Sequence, residues 1–241
     1  MRGPMVYCAE WPDFQDKHVL NLVLANSASL KAEFNPALLG GVVVLKGEAQ
    51  SSSRVSDSAT KESKVPFTAI PYYSWANRGS GEMEVWFATS KSAAKPLPAP
   101  TIASKSKITA EEKLKPLVAL NDQILPKNSN DREAIYCHWW PLKNTSRWIQ
   151  YTFEKPEKVS VAKVYWFDDS PWGGCRVPAS WKILYQTTSG EWKAVENTTP
   201  YENSKDKLNE VRFNPVETSA LRLEVQLPAE NSSGVYEWVV Q

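Results

Sequence analysis

The sequence predicts an all-β protein made of two antiparallel β-sandwich units in tandem. Three observations carry that expectation. Apolar residues recur at period two or in short runs, and no segment holds a helical period beyond about two turns. The 11 Trp, 9 Tyr and 7 Phe among 241 residues, with 42% hydrophobic residues, supply enough large side chains to fill sandwich cores. Between two strand-rich halves, Pro96, Pro98, Ala99 and Pro100 stand among Ser, Ala and Lys, the composition of a stiff linker. The expected organisation is therefore a first unit over 1–92, a linker over 93–103 and a second unit over 104–241.

In the first half the expected strands are 5–9, 19–24, 29–34, 42–49, 67–72 and 83–88, read from period-two and short apolar runs. Residues 50–64 are Ser, Lys, Asp and Glu with almost nothing apolar, which reads as a long exposed hairpin loop. In the second half the expected strands are 148–153, 159–167, 181–186, 192–195, 208–213, 221–227 and 235–240. Leu221, Leu223, Val225 and Leu227 alternate with Arg222, Glu224 and Gln226, so one face of that strand is buried and the other wet.

Lys and Arg total 28 against 27 Asp and Glu, a net charge of +1. Such a chain has no global field to recruit nucleic acid or an anionic membrane, and a neutral ligand is favoured. No apolar run approaches the roughly 18–20 residues that span a bilayer. The opening Met1-Arg2-Gly3-Pro4 passes straight into strand pattern, so a signal for an exported protein is expected upstream of it.

Two segments carry a family resemblance. Pro71-Tyr72-Tyr73-Ser74-Trp75-Ala76-Asn77-Arg78-Gly79-Ser80-Gly81-Glu82-Met83-Glu84-Val85-Trp86-Phe87 crowds large and special residues together, and Arg2-Gly3-Pro4-Met5-Val6-Tyr7-Cys8-Ala9-Glu10 opens the chain. Both resemble the β-sandwich region that follows the catalytic barrel in bacterial glycoside hydrolases of family 127, the β-L-arabinofuranosidase type. The resemblance covers about residues 1–90. It implies that this chain is the tail of such an enzyme, with the barrel lying before residue 1, in a bacterial periplasmic or extracellular setting.

The second half resembles another module. Ala119-Leu120-Asn121-Asp122, Trp139-Trp140, Trp148-Ile149-Gln150-Tyr151-Thr152-Phe153 and the closing Gly234-Val235-Tyr236-Glu237-Trp238 look like the discoidin (coagulation factor 5/8 C-type) jelly roll, whose fold carbohydrate-binding modules of family 32 share. The stretch from Tyr165 to Trp181, with Asp168-Asp169-Ser170-Pro171-Trp172-Gly173-Gly174-Cys175-Arg176 at its centre, resembles the version appended to family 127 enzymes.

Family 127 enzymes use a zinc-thiolate site with an adjacent Cys pair and a Glu-x-Cys spacing in the barrel. Cys8, Cys137 and Cys175 match neither, and Cys8-Ala9-Glu10 runs in the reverse order. No zinc is expected on this chain. Cys8 reads as a small buried hydrophobe in a strand, and Cys137 and Cys175 could be free or bridged. His18 and His138 have no Ser or Cys at a triad spacing, and Asp168 and Asp169, being adjacent, suit a turn better than a glycosidic acid/base pair.

Two binding signals remain in the second unit. The discoidin resemblance implies a structural calcium held by Asp122, Glu237 and backbone carbonyls, with Ala119, Asn128 and Ser129 near enough in sequence to contribute. Gln123 departs from that pattern, standing where the family usually has a Gly that tightens the loop. The loops carrying His138, Trp139, Trp140, Asp169, Trp172 and Arg176 are expected at one end of the jelly roll. There indole faces cover a sugar ring and polar groups meet its hydroxyls. Trp139, Trp140 and Trp181 equally suit packing of the sandwich end. In the Pro-Trp-Gly-Gly-Cys-Arg loop, Gly173 and Gly174 are expected to allow a sharp turn that pushes Trp172 into solvent. The functional expectation is a non-catalytic accessory region that supports the barrel and binds glycan, an arabinose-containing plant polysaccharide being the expected class. An independent carbohydrate-binding or adhesion module is the alternative.

Overall fold

The computed structural model describes residues 5–56, 59–79, 81–111, 114 and 116–241. The chain divides into two compact units, Met1–Pro100 and Thr101–Gln241. Both are all-β. No helix is long and apolar enough to cross a membrane.

The first unit holds β1 (Tyr7–Glu10), β2 (Leu22–Val23), β3 (Lys31–Asn35), β4 (Val42–Ser56), β5 (Ala59–Pro71) and β6 (Met83–Glu84). These form one antiparallel sheet in the order β2-β4-β5-β1-β6, with β3 also paired to β4. Phe14, Val19, Leu22, Leu45 and Phe67 close the main core on one side, while Cys8, Val42, Val44 and Ile70 form a second cluster. The polar segment 50–64 is not a loop. Gln50 pairs with Lys64 and Ser51 with Ser63, extending the β4–β5 hairpin well past the apolar core. A two-stranded ribbon is held by its own ladder, so its side chains need not be apolar. Asn21 anchors the ribbon further, donating to Ser51 Oγ at 2.8 Å and accepting from Ser52 N–H at 2.9 Å.

The segment expected as a stiff linker, 93–103, carries backbone hydrogen bonds. Lys95 N–H donates to Leu20 O and Leu97 N–H to Ser52 O, which ties these residues to the first unit. Thr101 and Ser104 cap each other, and Ala103 is buried in the second unit's core.

The second unit holds β7 (Lys107–Ala110), β8 (Cys137–His138), β9 (Ser146–Phe167), β10 (Ser180–Gln186), β11 (Trp192–Ala194), β12 (Leu208–Gln226) and β13 (Gly234–Val240). What read as two strands over 148–167 is one, β9, and 208–227 likewise becomes β12. Both continue through polar corners, with register shifts between Arg212 and Val216 and between Thr218 and Ala220. The first half of β9 pairs with β7 and the second half of β12; its second half pairs with β13 and the first half of β12. The two long strands thereby pass from one layer into the other, and the fold is an antiparallel β-sandwich.

Its core takes Ile149, Tyr151, Ile183, Leu221, Leu223 and Val225 from one layer and Val164, Trp166, Val211, Val235 and Trp238 from the other. The Leu221–Leu227 alternation faces inward as its pattern requires. Tyr151 stacks on Trp238 at 4.1 Å, and its hydroxyl lies 2.6 Å from Leu120 O and 3.0 Å from Trp238 O. A satellite cluster of Tyr165, Phe167, Cys175 and Tyr236 lies outside this core and forms the floor of the loop end.

Candidate functional site

The site grows from period-two alternation in residues 136–140. Cys137 and Trp139 turn into the core, leaving Tyr136, His138 and Trp140 to line a cavity of ≈ 240 Å³ at the loop end. At the end of β9 the same alternation buries Trp166 in the core and gives Phe167 and Asp169 to the cavity wall. Tyr136 stacks on Phe167 with ring centres 3.9 Å apart, making an aromatic floor. Arg132 lies over both rings and donates to Tyr136 Oη at 2.8 Å and to Asn130 Oδ1 at 3.0 Å. The neighbouring Asp131 carbonyl accepts the Tyr236 hydroxyl at 2.7 Å, which fixes the turn that presents Arg132.

Asp169 is the hub of the 168–177 loop. Its Oδ1 accepts Cys175 N–H at 2.7 Å, and Arg132 and Arg176 each approach its carboxylate to 3.5 Å. Its neighbour Asp168 points away and caps Ser170 and Val177 N–H groups. The two carboxylates thus have the separate turn roles expected of adjacent positions. Trp140 N–H donates to His138 Nδ1 at 3.2 Å, so the ring proton of neutral His138 sits on Nε2, which becomes a donor. Burial pushes the His138 pKa below the ordinary histidine value, with Arg132 adding to the effect and Asp169 opposing it.

Of the six residues expected to bind sugar, His138, Trp140 and Asp169 meet in this cavity. Trp139 does not: at 3% exposure it is a core side chain. Arg176 braces the loop, donating to Gly173 O and Cys175 O. Trp172 is 92% exposed and stands outside the cavity lining. The glycine explanation also needs correcting, because neither Gly173 nor Gly174 adopts a left-handed φ. A Cβ at Gly173 would overlap the Asp169 carboxylate, and one at Gly174 would overlap the Trp140 ring. Close approach, not a sharp turn, requires them. Arg132, Tyr136 and Phe167 escaped sequence reasoning, although alternation around the core-facing Cys137 and Trp139 was a readable signal for Tyr136.

The three thiols are free, buried and apart. Cys8 lies in the first unit's smaller core, Cys137 in the main core of the second and Cys175 in its satellite cluster. Burial pushes their pKa values up to about 11, 12 and 12 respectively, so all three are protonated at neutral pH.

Asp122 and Glu237 do come together. Glu237 is 1% exposed and its Oε2 accepts Gln123 N–H at 3.1 Å, while Asp122 Oδ1 accepts Ile124 N–H at 2.9 Å. The two carboxyls hydrogen-bond to each other, among the described residues neither pairs with a basic side chain, and burial pushes them up to about 6 and about 9. Gln123 adopts φ 63°, the left-handed conformation that explains a family preference for Gly there. Asn128 and Ser129 serve other ends: Asn128 caps Asn130 N–H, and Ser129 exchanges hydrogen bonds with Asp206. Among the described residues no group of three or more His, Cys, Asp or Glu side chains is placed to hold a metal. A buried carboxyl pair without a counter-charge nevertheless fits a divalent cation completed by backbone oxygens.

The second unit is an antiparallel β-sandwich with an aromatic-floored cavity at its loop end. For the first unit the comparison is more particular: residues 1–88 match the model of the glycoside hydrolase family 127 C-terminal domain. A non-reducing end β-L-arabinofuranosidase of Bifidobacterium longum is 38% identical over 98 residues, covering 36% of this chain and 15% of the relative. The solved family 127 β-L-arabinofuranosidase of Geobacillus stearothermophilus is 44% identical, covers 36% of this chain and 15% of that one, and superposes with a TM-score of 0.33. A family 32 carbohydrate-binding module of Clostridium perfringens, solved with galactose, is 17% identical over 58% of this chain and 96% of its own, with a TM-score of 0.42. The chain thus spans 15% of the length of the arabinofuranosidases it matches.

Proposed function

We propose that this chain is a non-catalytic accessory region of a family 127-type glycoside hydrolase acting in the periplasm or outside the cell, with plant-type glycan bound by the second unit. The observation that carries the reading is the loop-end cavity, where a neutral His138 donor, the Arg132 and Asp169 pair and the half-exposed Trp140 surround space for a sugar. Covering ~100 Å² of apolar surface contributes roughly 2.5 kcal/mol, and a few hydrogen bonds of about 1 kcal/mol each bring the gain to the ~4 kcal/mol of a millimolar site. Binding that weak serves as a tether which raises local enzyme concentration.

For the first unit, the proposed partner is a catalytic barrel. An open cleft lined by Val6, Tyr72, Met83, Glu84, Val85 and Trp86 supports this, with Trp86 86% exposed. Glu84 Oε2 is shielded there without a hydrogen-bond partner, and burial, reinforced by Glu82, pushes its pKa up to about 7. An apolar face holding an unmatched carboxyl suits a protein surface better than water.

Retention on immobilised arabinan and on a broad glycan array tests the glycan reading. His138→Ala and Trp140→Ala should each abolish retention while Trp172→Ala leaves the melting temperature unchanged. Retention should hold at neutral pH and fall as the pH drops below the lowered His138 pKa, because protonation of Nδ1 ejects the Trp140 N–H. Retention by the His138→Ala chain equal to the parent would refute the assignment. Calcium is proposed at the Asp122–Glu237 pair, where it would displace the shared proton and pair with both carboxylates. Adding calcium after chelation should raise the melting temperature of the parent chain and not of Glu237→Gln; an equal response in both rules the site out.

A further inference from the structure

A second cluster lies on strands, away from the loop end. On β9, β10 and β12 the inward side chains fill the core, and the outward ones include Trp148, Gln150, Lys182, Leu184, Arg222 and Glu224. Arg222 reaches between two indoles: its guanidinium carbon is 4.5 Å from the Trp148 ring centre and 4.1 Å from that of Trp192 on β11. Its Nη2 donates to Gln150 Oε1 at 3.0 Å, while its Nε is shielded and meets no acceptor. Among the described residues Arg222 makes no ion pair. The carboxylates that influence it are taken elsewhere, Glu224 by Lys182 at 2.7 Å and Glu111 by Arg147 at 2.6 Å. One partly desolvated cation on this face is therefore left without an anion.

We propose that Arg222, clamped by Trp148 and Trp192, forms a second binding site that takes the carboxylate of an acidic sugar. With ring contacts on the guanidinium, a ligand is directed to its edge, and edge-on approach is how a carboxylate pairs with arginine. The indole margins offer apolar contact to the sugar carbons beside that carboxylate. A single unmatched cation suits one carboxylate per sugar, whereas the nearby Glu224 and Glu111 and the net charge of +1 disfavour a densely charged phosphate chain. The choice of a sugar acid over another carboxylate rests on the glycan reading of this unit; the site itself does not share residues with the loop-end cavity.

Affinity electrophoresis of the full chain in gels containing polygalacturonate or neutral arabinan separates the two sites. Polygalacturonate should retard the parent chain, less so at high salt. Arg222→Met and Trp192→Ala should each weaken that retardation by about tenfold, Arg222→Lys by less, and the exposed Trp172→Ala not at all. Loss of arabinan retardation alone would sink the loop-end reading and leave this one standing. Should Arg222→Met fail to fold, Trp192→Ala and Arg222→Lys carry the test. No retardation of the parent chain by polygalacturonate, or unchanged retardation of folded Arg222 and Trp192 variants, overturns the proposal.

Discussion

Arg78→Met should destabilise the first unit by about 3–5 kcal/mol, the cost of leaving buried charges unpaired. Arg78 Nε donates to Glu10 Oε2 at 2.7 Å, and its two terminal nitrogens grip Asp13 at 2.7 and 2.8 Å. Glu10 is 3% exposed, and its other oxygen accepts Ala76 N–H at 2.8 Å. Removing the guanidinium strands two carboxylates against each other under cover, and the segment that carries Ala76 and Arg78 loses its attachment to β1. Urea unfolding of the parent and variant chains checks this. Adding Glu10→Gln and Asp13→Asn to the variant should recover much of the loss, since a neutral set no longer carries buried charge. A loss below about 1 kcal/mol in the single variant would show that the network is as dispensable as a surface ion pair.

Gly174→Ala should abolish glycan retention while changing stability by less than about 1 kcal/mol, the range of a substitution away from the core. The new methyl group would occupy the position of the Trp140 ring, and Trp140 is 53% exposed, so the ring is free to swing into solvent and relieve the overlap. Gly173→Ala should behave differently. Its methyl group meets the Asp169 carboxylate, which holds Cys175 N–H and both arginines, so the whole 168–177 loop is disturbed and stability falls along with binding. Calorimetric melting beside the same retention assay distinguishes the two variants. Equal melting temperatures for both, or retention surviving in Gly174→Ala, would contradict the close-approach account.

Where burial follows directly from alternation, the fold was legible in the chain. Leu221 to Leu227 is of this kind, and its strand lies within a few residues of expectation. Polar segments were misread for a common reason: Ser51 and Ser63, or Glu157 and Lys158, stay in strands because a ladder of backbone hydrogen bonds needs no apolar side chain. Within the site, residue type alone did not separate Trp139 from Trp140, which differ only in the face of the chain they occupy. Gly173 and Gly174 were marked as special, yet which side chains press on them is a tertiary fact that spacing does not contain. Arg132 was hidden in a run of Asn, Asp and Glu that reads as solvated loop.

The central claim is that the cavity of Arg132, His138, Trp140 and Asp169 receives a neutral sugar. Heteronuclear NMR of the nitrogen-labelled chain, titrated with methyl arabinofuranoside and methyl galactoside to millimolar concentrations, addresses it most directly. The account predicts saturable shifts of the Trp140 indole and backbone N–H and of the His138 ring with at least one of these sugars, leaving Trp192 unmoved. Flat spectra with both sugars, or shifts confined to residues outside the loop end, would contradict it.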